Sequence, residues 1–250
     1  MPMGAEKAVK TKIATMLAIA AVAALGGCAA PNPDAGFISD PYESTNRYVH
    51  SLNKGIDTVA LRPAAQVYDF VAPELVQHLA SNALDTLDLP VAAVNFVLQG
   101  DFLAALRTSG RLGLNVVMGA GGLLDPATEM GLPKEETDFG ITLARLGVAE
   151  GPYLEFPALG PMTGRDLAGR VVDAALNPVS WVAGIPTEGT AGLRAFQVVE
   201  ARDAYFAAID RTLYDSEDSY IAARSAYVQL RRRAVAGGVV GSSLPNVFDQ

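Results

Sequence analysis

The sequence predicts an all-α fold, and three observations carry that expectation. Apolar residues recur at helical spacing through the most apolar stretch of the chain, helix start and stop signals recur along most of its length, and no region reads as strand-rich. The apolar stretch is Leu89–Leu124, which carries only three charges, Asp101, Arg107 and Arg111, in a chain that is 18% charged. Its two uncharged parts, Leu89–Gly100 and Leu112–Leu124, both fall short of the roughly 18 residues a membrane-spanning helix needs. A bilayer crossing is therefore not expected.

From Asp101 onward, Arg107, Arg111 and Asn115 fall four apart and form one polar stripe on a helix. Leu103, Leu106, Leu114 and Val117 run down another side, and Phe102, Leu112 and Val116 widen it into a broad apolar surface. Two readings fit this pattern. One is the central helix of a soluble bundle; the other has its apolar side in lipid and its polar stripe on a wet interior. Gly119, Gly121 and Gly122 lower helix propensity and permit positive φ, so they mark a tight turn or hinge rather than loose helix.

The amino terminus favours the second reading. Lys7, Lys10 and Lys12 precede an apolar run, Ile13–Leu25, that ends in Leu25-Gly26-Gly27-Cys28. A basic region, an apolar region and small residues before a cysteine describe a secretion signal over residues 1–27. Leu25 three positions before the lone cysteine of the chain makes the segment resemble a bacterial lipobox, which implies lipidation at Cys28. With Ala29 rather than Asp next, sorting to the outer membrane of a Gram-negative cell is expected. Residues 28–39, with Pro31, Pro33 and Gly36, then read as a lipidated tether. Removal of Met1–Gly27, with its three Lys and one Glu, takes the formal charge from −8 to −10, which argues against nucleic-acid binding. Half of the residues are hydrophobic, which suggests more apolar surface than an interior requires.

Residues 40–235 read as one helical domain. Asp40-Pro41-Tyr42-Glu43 has the form of an N-cap followed by Pro and a capping-box Glu, opening a helix to about Gly55 or Val59 that Arg62-Pro63 breaks. Pro73 opens a second helix to about Leu84, and Asp88-Leu89-Pro90 begins the apolar region, whose exit over Gly119–Leu132 is a loop or re-entrant turn. A short helix from Asp138 to about Leu146 follows. Prolines bracket Tyr153–Phe156, which is expected to be extended. Thr163-x-x-Asp166 opens a helix to about Leu176, stopped at Asn177-Pro178, and further helices are expected near Thr190–Ile209 and Ser216–Arg233. The last matches the helix dipole, with Glu217 and Asp218 first and Arg231–Arg233 last. Residues 236–250 read as a disordered tail.

No enzyme constellation is present in the sequence. It has no G-x-S-x-G elbow, no Walker A and no dinucleotide fingerprint, and no cofactor is expected. His50 and His78 are its two histidines; Glu74 and His78 share a helical face, but two ligands do not make a metal site.

These residues carry a family resemblance. Asp40-Pro41-Tyr42-Glu43 with Asn46-Arg47, Arg62-Pro63-Ala64, Asn95 with Leu98-Gln99-Gly100, Arg111 with Asn115 and Gly119, Gly121-Gly122-Leu123 with Asp125-Pro126-Ala127-Thr128, Asp138-Phe139-Gly140, Gly151-Pro152-Tyr153 and Leu159-Gly160-Pro161 are similar to the MlaA (VacJ) family of outer-membrane lipoproteins. The resemblance continues through Ser216, Asp218, Tyr220, Arg224 and Tyr227. It implies a single ring-like helical domain embedded in the inner leaflet of the outer membrane, with a central polar channel. It also implies a non-enzymatic role: removing mislocalised phospholipid from the outer leaflet, in association with a trimeric porin, and passing it to a periplasmic lipid-carrier protein. On that basis Arg107, Arg111 and Asn115 are expected to line the headgroup path, and Phe102, Leu103, Leu106, Leu112, Leu114, Val116 and Val117 to face lipid. A structural lipoprotein that braces porins is the alternative, and a phospholipid hydrolase a more distant one.

Overall fold

The computed structural model describes residues 38–177 and 187–237. The signal segment, Cys28 and nearly all of the tether lie outside the described residues, as do the stop at Pro178 and the tail beyond Gly237. The chain enters through a long helical run, α1 (Glu43–Ile56), a π-helical turn (Asp57–Leu61) and α2 (Arg62–Val71). A long hairpin of α3 (Glu74–Leu98) and α4 (Phe102–Val117) follows, then the short α5 (Pro126–Glu129) and α6 (Phe139–Arg145). Strands β1 (Tyr153–Phe156) and β2 (Gly160–Thr163) lead into α7 (Gly164–Leu176). The chain closes with α8 (Thr187–Ala204), α9 (Phe206–Asp210), a second π-turn (Arg211–Asp215) and α10 (Ser219–Val235). The all-α class therefore holds, with one small antiparallel sheet among the described residues, in which Tyr153 pairs with Thr163 and Phe156 with Gly160.

Two expected breaks are absent. At Arg62-Pro63 the backbone stays helical, because the π-turn shifts the hydrogen-bond ladder just before Pro63, which sits in the first turn of α2 where its missing N–H costs little. The expected boundary between Leu84 and Pro90 is likewise overridden, since Pro90 lies inside α3. Pro in a helix interior costs about 3 kcal/mol. Burial of Leu84, Leu89, Ala92 and Phe96 along the same helix offsets that cost. Elsewhere the helix expected over Thr190–Ile209 begins at Thr187 and is interrupted at Tyr205.

Asp40 does not cap α1. Its carboxylate instead accepts from Asn46 at 2.8 Å, from Arg224 at 2.5 Å and from the Tyr220 hydroxyl. A charge-assisted contact outweighs a single cap, and it ties the start of the domain to its last helix. Real caps form at Asp101, Asp125, Asp138, Thr163 and Asp218, each accepting from a backbone N–H of its helix.

Three alanines and a phenylalanine hold the hairpin. Ala92 and Phe96 of α3 meet Ala104 and Ala105 of α4, so the helices approach closely at their connected end. α6 and α7 cross more tightly still, since a Cβ on Gly169 would lie 2.3 Å from the Gly140 nitrogen. A second core joins Tyr153, Tyr220 and Val228, linking β1 to α10. Arg231, expected to serve the dipole of α10, instead donates at 2.6 Å to Asp138 and at 2.6 Å to Asp166, pinning α10 to the starts of α6 and α7. Its neighbour Arg232 reaches Glu150 at 2.9 Å.

Candidate functional site

The polar stripe of α4 does not stay together. Arg107 is exposed and reaches Glu135 at 3.4 Å, whereas Arg111 is 3% exposed and turned toward the segment after α4. The Arg111 guanidinium donates to Asp125 at 2.7 Å, to Thr128 at 3.1 Å and to the Leu132 carbonyl. Asn115, also buried, accepts from the Ala127 N–H at 3.3 Å. The expectation that Arg111 and Asn115 line a wet path is corrected accordingly: they are the clamp that folds residues 118–132 back on the hairpin. Asp125 is the acidic partner of Arg111, and Asp138 belongs to Arg231. Burial pushes the Asp125 carboxyl up, but hydrogen bonds from Thr128, Arg111 and Asn115 outweigh it and hold the group below the usual carboxylate range.

The glycines of that segment meet geometric demands. A Cβ on Gly119 would lie 2.3 Å from the Leu124 carbonyl oxygen, and one on Gly122 would lie 2.8 Å from Thr86 of α3. Gly121, at φ +79°, borders open space. These positions form a tight turn packed on α3.

On the outer side of α4, Phe102, Leu103, Leu106, Val116 and Val117 are exposed, Val117 to 81%. Leu112 and Leu114 are half-buried, so the expected apolar face is narrower than the sequence suggested. It is also longer. Val94, Val97 and Leu98 of α3 are exposed, and a further group, Val67, Phe70, Val71, Leu75 and Val76, runs across the α2–α3 corner, with Phe70 90% exposed. That corner went unrecognised because α2 and α3 read separately are ordinary amphipathic helices. Among the described residues no helix is long and apolar enough to cross a membrane.

A cavity of about 360 Å³ lies between α1, the β1–β2 turn, α8, α9 and the second π-turn. Its walls combine Ile56, Leu61, Leu159, Val198, Ile209 and Leu213 with the charged or titratable His50, Lys54, Asp57, Glu155 and Arg202. His50 Nδ1 lies 3.1 Å from Glu155, and its Nε2 lies 3.0 Å from the Ser219 hydroxyl. Arg202 donates to Asp57 at 2.7 Å and to Asp210 at 2.5 Å, and Arg62 joins Asp210 at 2.7 Å. Tyr214 closes the network, its hydroxyl 2.7 Å from Asp57 and 2.9 Å from Thr58, so the two π-turns are stitched together. None of these residues carries a site signal in the sequence; Asp57 and Arg202 are 145 positions apart, and such separations leave no local sign of convergence. Glu74 and His78 are exposed, 3.6 Å apart.

A helical fold with a broad exposed apolar face, a clamped glycine-rich turn and a cavity of mixed polar and apolar lining places the chain in a class of helical proteins with strongly amphipathic surfaces. The particular family follows from comparison: the profile of the MlaA lipoprotein family matches residues 38–234, and the chain belongs to that family. It is 34% identical over 219 residues to the intermembrane phospholipid transport system lipoprotein MlaA of Escherichia coli, covering 86% of this chain and 85% of that one. Its counterpart in Haemophilus influenzae is 33% identical over 249 residues, covering 96% and 97% of the two chains. An uncharacterized protein of Rickettsia felis is 34% identical over 199 residues, covering 79% of this chain and 78% of its own. A solved structure, described as the structural basis for maintenance of bacterial outer membrane lipid asymmetry, superposes with a TM-score of 0.71 at 31% identity, covering 79% of this chain and 99% of the other.

Proposed function

We propose that this chain is a non-enzymatic phospholipid transfer lipoprotein of the outer membrane, and that lipid passes through the cavity beside α1 and α8. The observation that carries the reading is the amphipathic lining of that cavity in a member of a family whose relatives are named for intermembrane phospholipid transport. A phospholipid leaving a leaflet needs polar contacts for its headgroup while its chains stay among apolar groups, because a charged group in hydrocarbon without partners is costly. At about 360 Å³ the cavity admits part of a lipid at a time. It lies near the lower end of the roughly 300–1,000 Å³ typical of ligand pockets.

In this reading the exposed faces of α2, α3 and α4 rest among the acyl chains of the inner leaflet, Cys28 carries the lipid anchor, a trimeric porin holds the protein in place, and a periplasmic carrier receives the lipid. Arg107 remains the member of the α4 stripe available to a headgroup. Hydrolysis forms no part of the proposal, since transfer requires no bond to break.

The test is complementation of a strain lacking the gene, scored with a membrane-impermeant label for outer-leaflet phospholipid. Wild type is expected to lower the label, and Ala201→Trp, which fills the cavity, to fail at an unchanged melting temperature. Full complementation by Ala201→Trp would move the path elsewhere, and porin binding without any effect of wild type on the label would favour a bracing lipoprotein.

A further inference from the structure

We infer that Lys54 is the contact for lipid phosphate inside the cavity, an inference that rests on the transport reading above. Besides Tyr205, five charged or titratable side chains line the cavity, and among the described residues four are matched: His50 with Glu155, and Asp57 with Arg202. Lys54 is the exception. An ammonium has three N–H donors. Among the described residues the Lys54 ammonium makes one hydrogen bond, to the Ser219 hydroxyl at 3.5 Å, and otherwise lies 5.4 Å from the centre of the Tyr214 ring. No carboxylate of the described residues pairs with it. It is half-buried, so its stem is fixed by packing while donors remain for an incoming oxygen.

The surroundings select the anion. The Arg202 guanidinium is occupied by two carboxylates, and Asn53 is committed to the Glu155 carboxylate, the Phe156 carbonyl and the Ala158 N–H, so neither offers a second cationic or amide site. A phosphodiester presents one negative charge over two oxygens, and an ammonium meets it as a compact point charge whose rotatable N–H donors can reach either oxygen. The ring of Tyr214 beside Lys54 and the apolar wall formed by Ile56, Leu61, Leu159 and Leu213 suit the glycerol and first methylenes that follow a phosphate in a lipid, and would gain nothing from inorganic phosphate.

The test uses the full chain purified in detergent and three probes: dihexanoyl phosphatidylglycerol, dihexanoylglycerol and inorganic phosphate, with binding followed by titration calorimetry. Wild type is expected to bind the phosphatidylglycerol more tightly than the phosphate-free diacylglycerol, and inorganic phosphate weakly at most. Lys54→Met keeps the apolar stem and removes the charge. It should weaken phosphatidylglycerol by roughly ten- to a hundredfold, the weight of one charge-assisted hydrogen bond. Diacylglycerol binding should be unchanged, and Lys54→Arg should recover most of the loss. Equal weakening of both lipids, or no effect of Lys54→Met on phosphatidylglycerol, overturns the role of Lys54 while leaving transport through the cavity standing. Binding of inorganic phosphate as tight as that of the lipid makes this a free-anion site and overturns the lipid assignment. A wild type that binds neither lipid overturns the transport reading with it.

Discussion

At Arg111 a residue that looks suited to meeting a headgroup is spent on the fold. Its guanidinium is buried against Asp125, Thr128 and the Leu132 carbonyl, so a change of charge there acts on stability before it acts on any ligand. Arg111→Glu is expected to lower the melting temperature sharply, since stranding one partner of a buried pair costs about 3–5 kcal/mol. Arg111→Lys should be milder. A variant that melts normally yet loses transport would return Arg111 to the lipid path. The partner carries a pH signature. Because the folded Asp125 is held below its ordinary value, its contribution is fully present above the unfolded value of about 3.9 and is lost as pH falls through the folded one. The melting-temperature gap between wild type and Asp125→Asn should therefore be constant near neutrality and close at acid pH; a gap that stays open through acid pH would mean that the carboxylate charge is not what stabilises the clamp.

At the scale of elements, the turn after α4 depends on glycine in two distinct ways. Gly122 has both positive φ and Thr86 at 2.8 Å from where a Cβ would sit, whereas Gly121 has positive φ and open space. Gly122→Ala is expected to destabilise by more than the roughly 1–2 kcal/mol of a left-handed non-glycine residue, and Gly121→Ala by no more than that. Paired thermal melts check the order, and equal losses would mean that the close approach to α3 is relieved by a shift of the turn. If the segment also pivots as the lipid enters, Gly121→Ala should reduce outer-leaflet lipid removal beyond its effect on melting. α3 makes a complementary point about packing. It runs 25 residues through Pro90, a break that local rules predict and that buried neighbours override.

For the whole molecule, the apolar faces of α2, α3 and α4 expose far more hydrophobic side chain than an interior demands, from Phe70 at the corner to Val117 at the end of the hairpin. Each such residue left in water forgoes roughly 1.5–3 kcal/mol of burial. The protein beginning at Ala29, without its lipid, is therefore expected to need detergent, as sedimentation would show; a detergent-free monomer would argue that these faces are not membrane-embedded. Intact-mass analysis of membrane-extracted protein should find a diacylglyceryl adduct at Cys28 that Cys28→Ser abolishes. Two acyl chains at about 0.8 kcal/mol per buried CH₂ make such attachment stable.

The all-helical class, the positions of α4, α6 and α7, the extended Tyr153–Phe156 and the glycine turn were legible in the sequence, because periodicity, capping residues and prolines act within a few positions of themselves. The family was legible too, since its motifs are spread over most of the chain. Tertiary structure alone decided where the polar groups went. Asp40 left its helix for Arg224, Arg111 chose Asp125, Arg231 joined α10 to α6 and α7, and the cavity drew its charges from α1, the first π-turn, β1 and α8. A buried charge takes whichever partner the fold brings within hydrogen-bond reach, and that choice is made across chain separations over which spacing carries no information.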